Sequence, residues 1–246
     1  MSGIFRFTIP KKGHERRENE DSVYFSKSRG LLAVADGATE GFDSRRWAAL
    51  LASQWIRSPG GITGDILDFQ RFVDNLASVW RKKWENTELP WYSEAKFLQG
   101  SFSTFLGLYV DEDKSTFTSI AVGDTCLFVF NKDRQRILSF PLERPEDFDN
   151  SPVLIPSTAR PDQYLLNYKK DEFSPGARFL IMSDAVASWF LRVSDVGGDL
   201  KVQDAFWTAL ESRNRPLLYG LIQQERSASR MKNDDVSVLF LNLKGA

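Results

Sequence analysis

The sequence predicts a layered α/β fold in which helices cover antiparallel sheets. Short apolar runs suited to buried strands alternate with longer stretches of helical period, and a strand-rich block occupies the middle of the chain. In addition, four apolar runs carry acids at one end, and antiparallel pairing would bring those ends to a common edge.

Ile4 to Ile9 alternates bulky and polar residues and stops at Pro10, a first strand. Lys11 to Glu20 is polar and reads as a loop. Ser22 to Phe25 is a second strand, preceded directly by Glu20 and Asp21. Leu31 to Ala35 (LLAVA) is a buried strand punctuated by Gly30 and Gly37, and it breaks off at Asp36.

Phe42 to Arg57 has helical spacing through Trp47, Leu50, Leu51 and Trp55, with Asp43 or Ser44 as N-cap and Pro59, Gly60 and Gly61 as the stop. A longer helix runs from about Asp65 to Trp84, burying Phe69, Phe72, Val73, Leu76, Val79 and Trp80; its tryptophans are core residues. Glu85 to Pro90 is a linker, and Trp91 to Gln99 is a short helix or its irregular continuation.

From Gly100 the texture changes to a meander of strands: Ser101 to Val110, Thr116 to Ala121, Thr125 to Asn131 and Arg136 to Phe140. Asp124 falls in the tight GD turn between two of them, where a plain hairpin role would explain it. Pro141 to Pro161, rich in proline, acids and serine, reads as a long surface excursion. Tyr164 to Tyr168 and Phe179 to Met182 are further strands. Asp184 to Leu191, Leu200 to Leu210 and Pro216 to Arg226 are helices, the last begun by Pro216. Val236 to Leu243 closes the chain as a strand, with Asp234 and Asp235 before it. Neither a repeat nor an internal boundary is visible, so all 246 residues are taken as one domain.

Composition narrows the function classes. A net charge of −1 gives no basic footprint for nucleic acid or for an anionic membrane. No apolar run approaches a membrane span, and the first residues lack the layout of a secretion signal. The single cysteine, Cys126, sits in an apolar run and fits a reducing compartment, so a cytoplasmic protein is expected. His14 is the only histidine, which argues against a histidine metal cluster or a serine triad.

The acids carry the chemistry. Asp36 ends one apolar run and Asp184 another (RFLIMSD), while Glu20 with Asp21 and Asp234 with Asp235 begin two more. Taken singly, each has a plainer explanation as a turn residue, and Asp184 as a helix N-cap. Brought together, such carboxylates repel and would take up protons unless a cation neutralised them, and oxygen donors without imidazole or thiolate favour magnesium, manganese or calcium.

With these residues in view, the chain resembles the metal-dependent type 2C serine/threonine protein phosphatases, in particular their compact bacterial members. The matching pieces occur in the family's order: Arg16, Asn19, Glu20, Asp21 and Ser22; Ala35, Asp36 and Gly37; Gly100, Ser101 and Thr104; Val122 to Thr125; Ser183 and Asp184; Asp234 and Asp235. The resemblance implies a four-layer sandwich of two antiparallel sheets between helical layers. It implies hydrolysis of phosphoserine and phosphothreonine monoesters on proteins, opposing a serine/threonine kinase, by water activated by two divalent cations, Mn2+ or Mg2+. Asp36 would bridge the cations, with the Gly37 carbonyl, Asp184 and Asp234 completing their shells. Asp124 with Asp184 would help to hold a third, looser one. Glu20 and Asp21 would act on the cations' waters or shape their surroundings, and Arg16 would orient the phosphoryl group. The Pro141 to Pro161 excursion would lie near the cleft and bear on substrate choice.

The chain departs from the family pattern in three places. Ala38, Thr39 and Glu40 stand where further glycines, and in some members a histidine acid, are usual; Ala185 replaces the glycine after Asp184, and Asp235 replaces an asparagine. The rival readings are a non-catalytic phosphopeptide-binding or regulatory module of the same fold, and an unrelated magnesium-dependent hydrolase.

Overall fold

The computed structural model describes residues 3–85, 87–149, 151–158, 165–194 and 198–243. Its strands are β1 (Gly3–Ile9), β2 (Ser22–Ser26), β3 (Leu31–Ala35), β4 (Phe102–Ser103), β5 (Phe105–Asp111), β6 (Thr116–Val122), β7 (Cys126–Phe130), β8 (Arg136–Phe140), β9 (Ile155–Pro156), β10 (Asn167–Glu172), β11 (Arg178–Met182) and β12 (Val236–Asn242). The helices are α1 (Ser44–Arg57), α2 (Ile66–Trp84), α3 (Trp91–Gln99), α4 (Asp184–Ser194), α5 (Leu200–Glu211) and α6 (Arg215–Ser227).

Two five-stranded antiparallel sheets form, one ordered β1-β12-β11-β7-β8 and the other β10-β6-β5-β3-β2, with β4 and β9 paired beside them. Strand alternation explains the layering. In β11, Phe179 and Ile181 face the other sheet, where they meet Leu32, Val34, Leu106 and Leu108, while Leu180 and Met182 face α4 to α6. In β3, Leu32 and Val34 point between the sheets, while Leu31, Ala33 and Ala35 pack on Trp47, Leu51 and Trp55 of α1. Because both faces are covered, these strands read as unbroken apolar runs rather than as alternating ones. The arrangement is the expected four-layer sandwich.

Three expectations need correction. Val79, expected on the buried side of α2, is 51% exposed. The central strands are not one meander: β5 and β6 pair in one sheet, but after Val122 the chain crosses to the other, where β7 pairs with β11 and β8. Leu127 and Val129 face the sheet interface while Cys126, Phe128 and Phe130 face the helices, so β7 needs cover on both sides, which a continued hairpin would not supply. The turn holding Asp124 is therefore a sheet-to-sheet crossing. The strand expected over 164–168 instead begins at Asn167 and runs to Glu172, pairing with β6; residue 164 lies outside the described residues.

Candidate metal centre

Antiparallel pairing brings the acids together in two steps. β2 runs against β3 with Ser22 opposite Ala35, so Glu20 and Asp21 lie beside Asp36. β12 runs against β11 with Val238 opposite Met182, so Asp234 and Asp235 lie beside Asp184. The two pairs belong to different sheets, and packing the sheets face to face joins them at one edge.

A cavity of about 600 Å³ opens there, lined by Asp36, Gly37, Thr39, Glu40, Asp124, Asp184, Lys232 and Asp234 among others. A second cavity, of about 290 Å³, continues from it past Asp124, Asp149, Ser151 and Pro152 toward Leu165 and Asn167. The described part of the 141–161 excursion, with Asp149, Ser151, Pro152, Val153 and Leu154, thus walls the cleft, as expected.

Backbone hydrogen bonds fix each acid. The Asp36 carbonyl accepts from Thr104 N (2.9 Å) and Ser103 Oγ (2.8 Å), and Ala38 N donates to Phe102 O (2.9 Å), so β4 clamps the turn. Gly37 is required by close approach: a Cβ there would stand 2.8 Å from Ser44 O and 3.1 Å from Glu20 O. Ahead of Asp124, Gly123 adopts φ +90°, and Thr125 Oγ1 and Thr104 Oγ1 are hydrogen-bonded at 2.7 Å. Ser183 exchanges hydrogen bonds with the Ser237 backbone, and its carbonyl accepts from Ala187 N, so Ser183 starts α4 and Asp184 is left on its first turn. The N-cap explanation for Asp184 therefore falls to its neighbour.

The electrostatics are those of a crowded acid cluster. Burial, then the charge of Asp235, pushes Asp21 up to about 7. Burial, then the charges of Asp21, Asp184 and Asp124, holds Asp36 well above the carboxylate range, although part of its surface opens to the cavity. Burial and Asp184 push Asp124 up to about 7. Asp184 is raised by burial, against the pull of Lys232. Glu20, raised chiefly by burial, accepts from Thr39 Oγ1 at 2.7 Å.

Lys232 was not foreseen. Its ammonium lies 3.0 Å from Asp184 Oδ2 and 2.9 Å from Asp234 Oδ2. Among the described residues no three His, Cys, Asp or Glu side chains are grouped so as to hold a metal ion; the lysine holds two of the carboxylates instead. By donor chemistry the cluster nevertheless fits hard cations. Both carboxylate oxygens of Asp21 and Oδ1 of Asp184 are buried without a hydrogen-bond partner, an arrangement costly in the absence of a cation.

Three expected residues, Arg16, Glu20 and Asp21, are not among those that line the cavity, Asp21 being buried. Arg16 is exposed on the short 3-10 turn Arg16–Glu18, outside the residues that line the cavity, though Arg45 Nη1 donates to Arg17 O (2.6 Å) and ties that turn to α1. Asp235 turns away from the cavity: its carboxylate accepts from Lys11 N (2.8 Å) and Glu20 N (2.7 Å), a structural clamp.

No protein-family model and no curated protein matches the sequence. Solved structures do. The serine/threonine phosphatase Stp1 from Staphylococcus aureus is 14% identical with a TM-score of 0.65, covering 100% of this chain and 96% of that one. The serine/threonine phosphatase PstP/Ppp of Mycobacterium tuberculosis is 15% identical with a TM-score of 0.63 and 98% of each chain covered. A structure of the PstP catalytic domain in complex with 2 manganese ions is 18% identical with a TM-score of 0.60, again over 98% of each chain. RsbX in complex with magnesium is 13% identical with a TM-score of 0.56, over 98% of this chain and 94% of its own. Together with the sheet order and helical layers, these likenesses identify the architecture: the chain has the type 2C serine/threonine phosphatase-like fold.

Proposed function

We propose that the chain is a divalent-metal-dependent phosphatase acting on phosphoserine and phosphothreonine in proteins, opposing a serine/threonine kinase. The observation that carries this is the convergence of Asp36, Asp124, Asp184 and Asp234 on one cavity, with buried carboxylate oxygens left unpartnered, in a type 2C fold. Manganese- and magnesium-bound structures among the fold neighbours support the choice of cation.

Asp36, the Gly37 carbonyl, Asp184 and Asp234 would hold two cations, Mn2+ or Mg2+, with Asp124 and Asp184 holding a looser third. When bound, the cations would offset the carboxylate charge and acidify water for in-line attack on phosphorus. Glu20 and Asp21 would act on the cations' waters or shape their surroundings. Arg16 would orient the phosphoryl group with its two-pronged guanidinium. Glu40, on the cavity wall, or water would supply the proton to the departing serine or threonine oxygen.

The test is phosphate release from phosphothreonine peptides with and without Mn2+. Turnover that needs the metal and disappears in Asp36→Asn and Asp184→Asn supports the reading; a wild-type protein inert at millimolar Mn2+ overturns it. The second reading, a phosphopeptide-binding module, draws on the lysine that already pairs Asp184 and Asp234. Peptide bound equally with and without metal, and never cleaved, would favour it.

A further inference from the structure

We propose that Lys232 is a tethered counter-ion for the Asp184 and Asp234 side of the cluster, so that a divalent cation binds there only by displacing its ammonium. The inference rests on the metallophosphatase reading and concerns how tightly this chain takes its metal.

The lysine is held in place by the fold and not merely by attraction to acids. Glu225, a fully buried carboxylate on α6, accepts from Trp189 Nε1 (2.9 Å) of α4 and from Arg230 Nε (2.9 Å) and Nη2 (2.6 Å). Its carbonyl also accepts from Arg230 N and Met231 N. Met231 is buried in the core beneath α4 to α6, and Asn233 Oδ1 accepts from Lys12 N at 2.7 Å. Lys232 is thus bracketed by an anchored residue on each side. Its stem approaches from solvent, 57% exposed, while its head meets two carboxylates that are 16% and 31% exposed.

The charge arithmetic follows. A singly charged ammonium already satisfies one oxygen each of Asp184 and Asp234, so a metal gains less there than at Asp36 and Asp21, which have no cation partner among the described residues. Two partly exposed ion pairs are each worth a modest amount, so their joint loss would weaken metal binding by about tenfold.

The experiment is calorimetric titration of the chelator-treated full chain with Mn2+, for the wild type, Lys232→Met, Lys232→Arg and Lys11→Met, with folding of each checked by circular dichroism. The expected result is about tenfold tighter Mn2+ binding in Lys232→Met, little change in Lys232→Arg, which keeps the cation, and little change in Lys11→Met, which removes a lysine that touches neither Asp184 nor Asp234. In the wild type, Mn2+ should also speed acetylation of the Lys232 amine, since the metal frees it. Equal Mn2+ affinity in wild type and Lys232→Met overturns the counter-ion and leaves the metallophosphatase reading standing. Weaker binding in Lys232→Met overturns it too. Absence of Mn2+ binding in every variant overturns both.

Discussion

The Asp235 carboxylate accepts the backbone N–H of Glu20 at 2.7 Å and that of Lys11 at 2.8 Å, tying the start of the last strand to the loop before the second. This pair of hydrogen bonds joins one sheet to the other at the edge where the acids meet. It also gives a physical reason for an aspartate where the resembling family has asparagine: only a carboxylate offers two acceptor oxygens to two N–H groups. Asp235→Asn keeps one acceptor and should cost about 1–2 kcal/mol, and Asp235→Ala about 2–4 kcal/mol. Urea denaturation of the two variants checks this; equal stability of Ala and wild type would show that the clamp is idle.

Asp21 gives the metal-free protein a pH dependence of definite sign. Its folded value of about 7 lies above the ordinary 3.8, so the folded state binds the extra proton and is favoured below pH 4 relative to higher pH. Stability from this group falls as pH rises through the window from about 4 to about 7. Asp124, pushed up to about 7 by burial and by Asp184, adds in the same direction. Chelator-treated protein should therefore denature at lower urea at pH 8 than at pH 5. Asp21→Asn should flatten the slope, and Mn2+ should restore stability chiefly at the higher pH.

Two glycines shape the cavity wall. At Gly123, φ is +90°, and a Cβ would stand 2.7 Å from Thr104 Cγ2 and 2.8 Å from Val153 O. Gly123→Ala should cost about 1–3 kcal/mol and displace Asp124. Gly37→Ala meets the Ser44 backbone and should cost a similar amount while moving α1 away from Asp36. Thermal denaturation reads the stability, and Mn2+ titration reads the displacement of the acids; Ala variants as stable as wild type would show that the wall yields.

The strand-end acids were legible because a buried apolar run that stops at a carboxylate is a local pattern, and antiparallel pairing of β2 with β3 and of β11 with β12 then leaves little freedom over where those carboxylates go. The β6 to β7 crossing was not legible: Gly123 and Asp124 between two apolar strands spell a hairpin and a crossing alike, and only the two-sided burial of β7 separates them. Lys232 was hidden for a related reason. In SASRMKNDD it reads as one more solvated charge, and the available signal was its neighbour Met231, an apolar residue in a polar stretch that turns out to be a core anchor. Asp235 reads in sequence only as the replacement for an asparagine, and its part as a clamp depends on Lys11 N and Glu20 N, which the chain brings to it from more than 200 residues away.

Arg16 separates recognition of the substrate from assembly of the site. It is exposed on a turn tied to α1 through Arg17 and Arg45, and it does not line the cavity. Because it touches none of the carboxylates, Arg16→Ala should leave Mn2+ affinity and thermal stability unchanged. A guanidinium that grips phosphate makes two charge-assisted hydrogen bonds, and losing it should lower kcat/KM for phosphopeptides by about tenfold or more. Lys at this position keeps the charge but not the fork, so Arg16→Lys should recover only part of the loss. Steady-state kinetics on one phosphothreonine peptide, beside Mn2+ titration, decides it. Unchanged kcat/KM in Arg16→Ala would mean that phosphate is gripped from within the cavity, and altered Mn2+ affinity would mean that the turn supports the acids rather than the substrate.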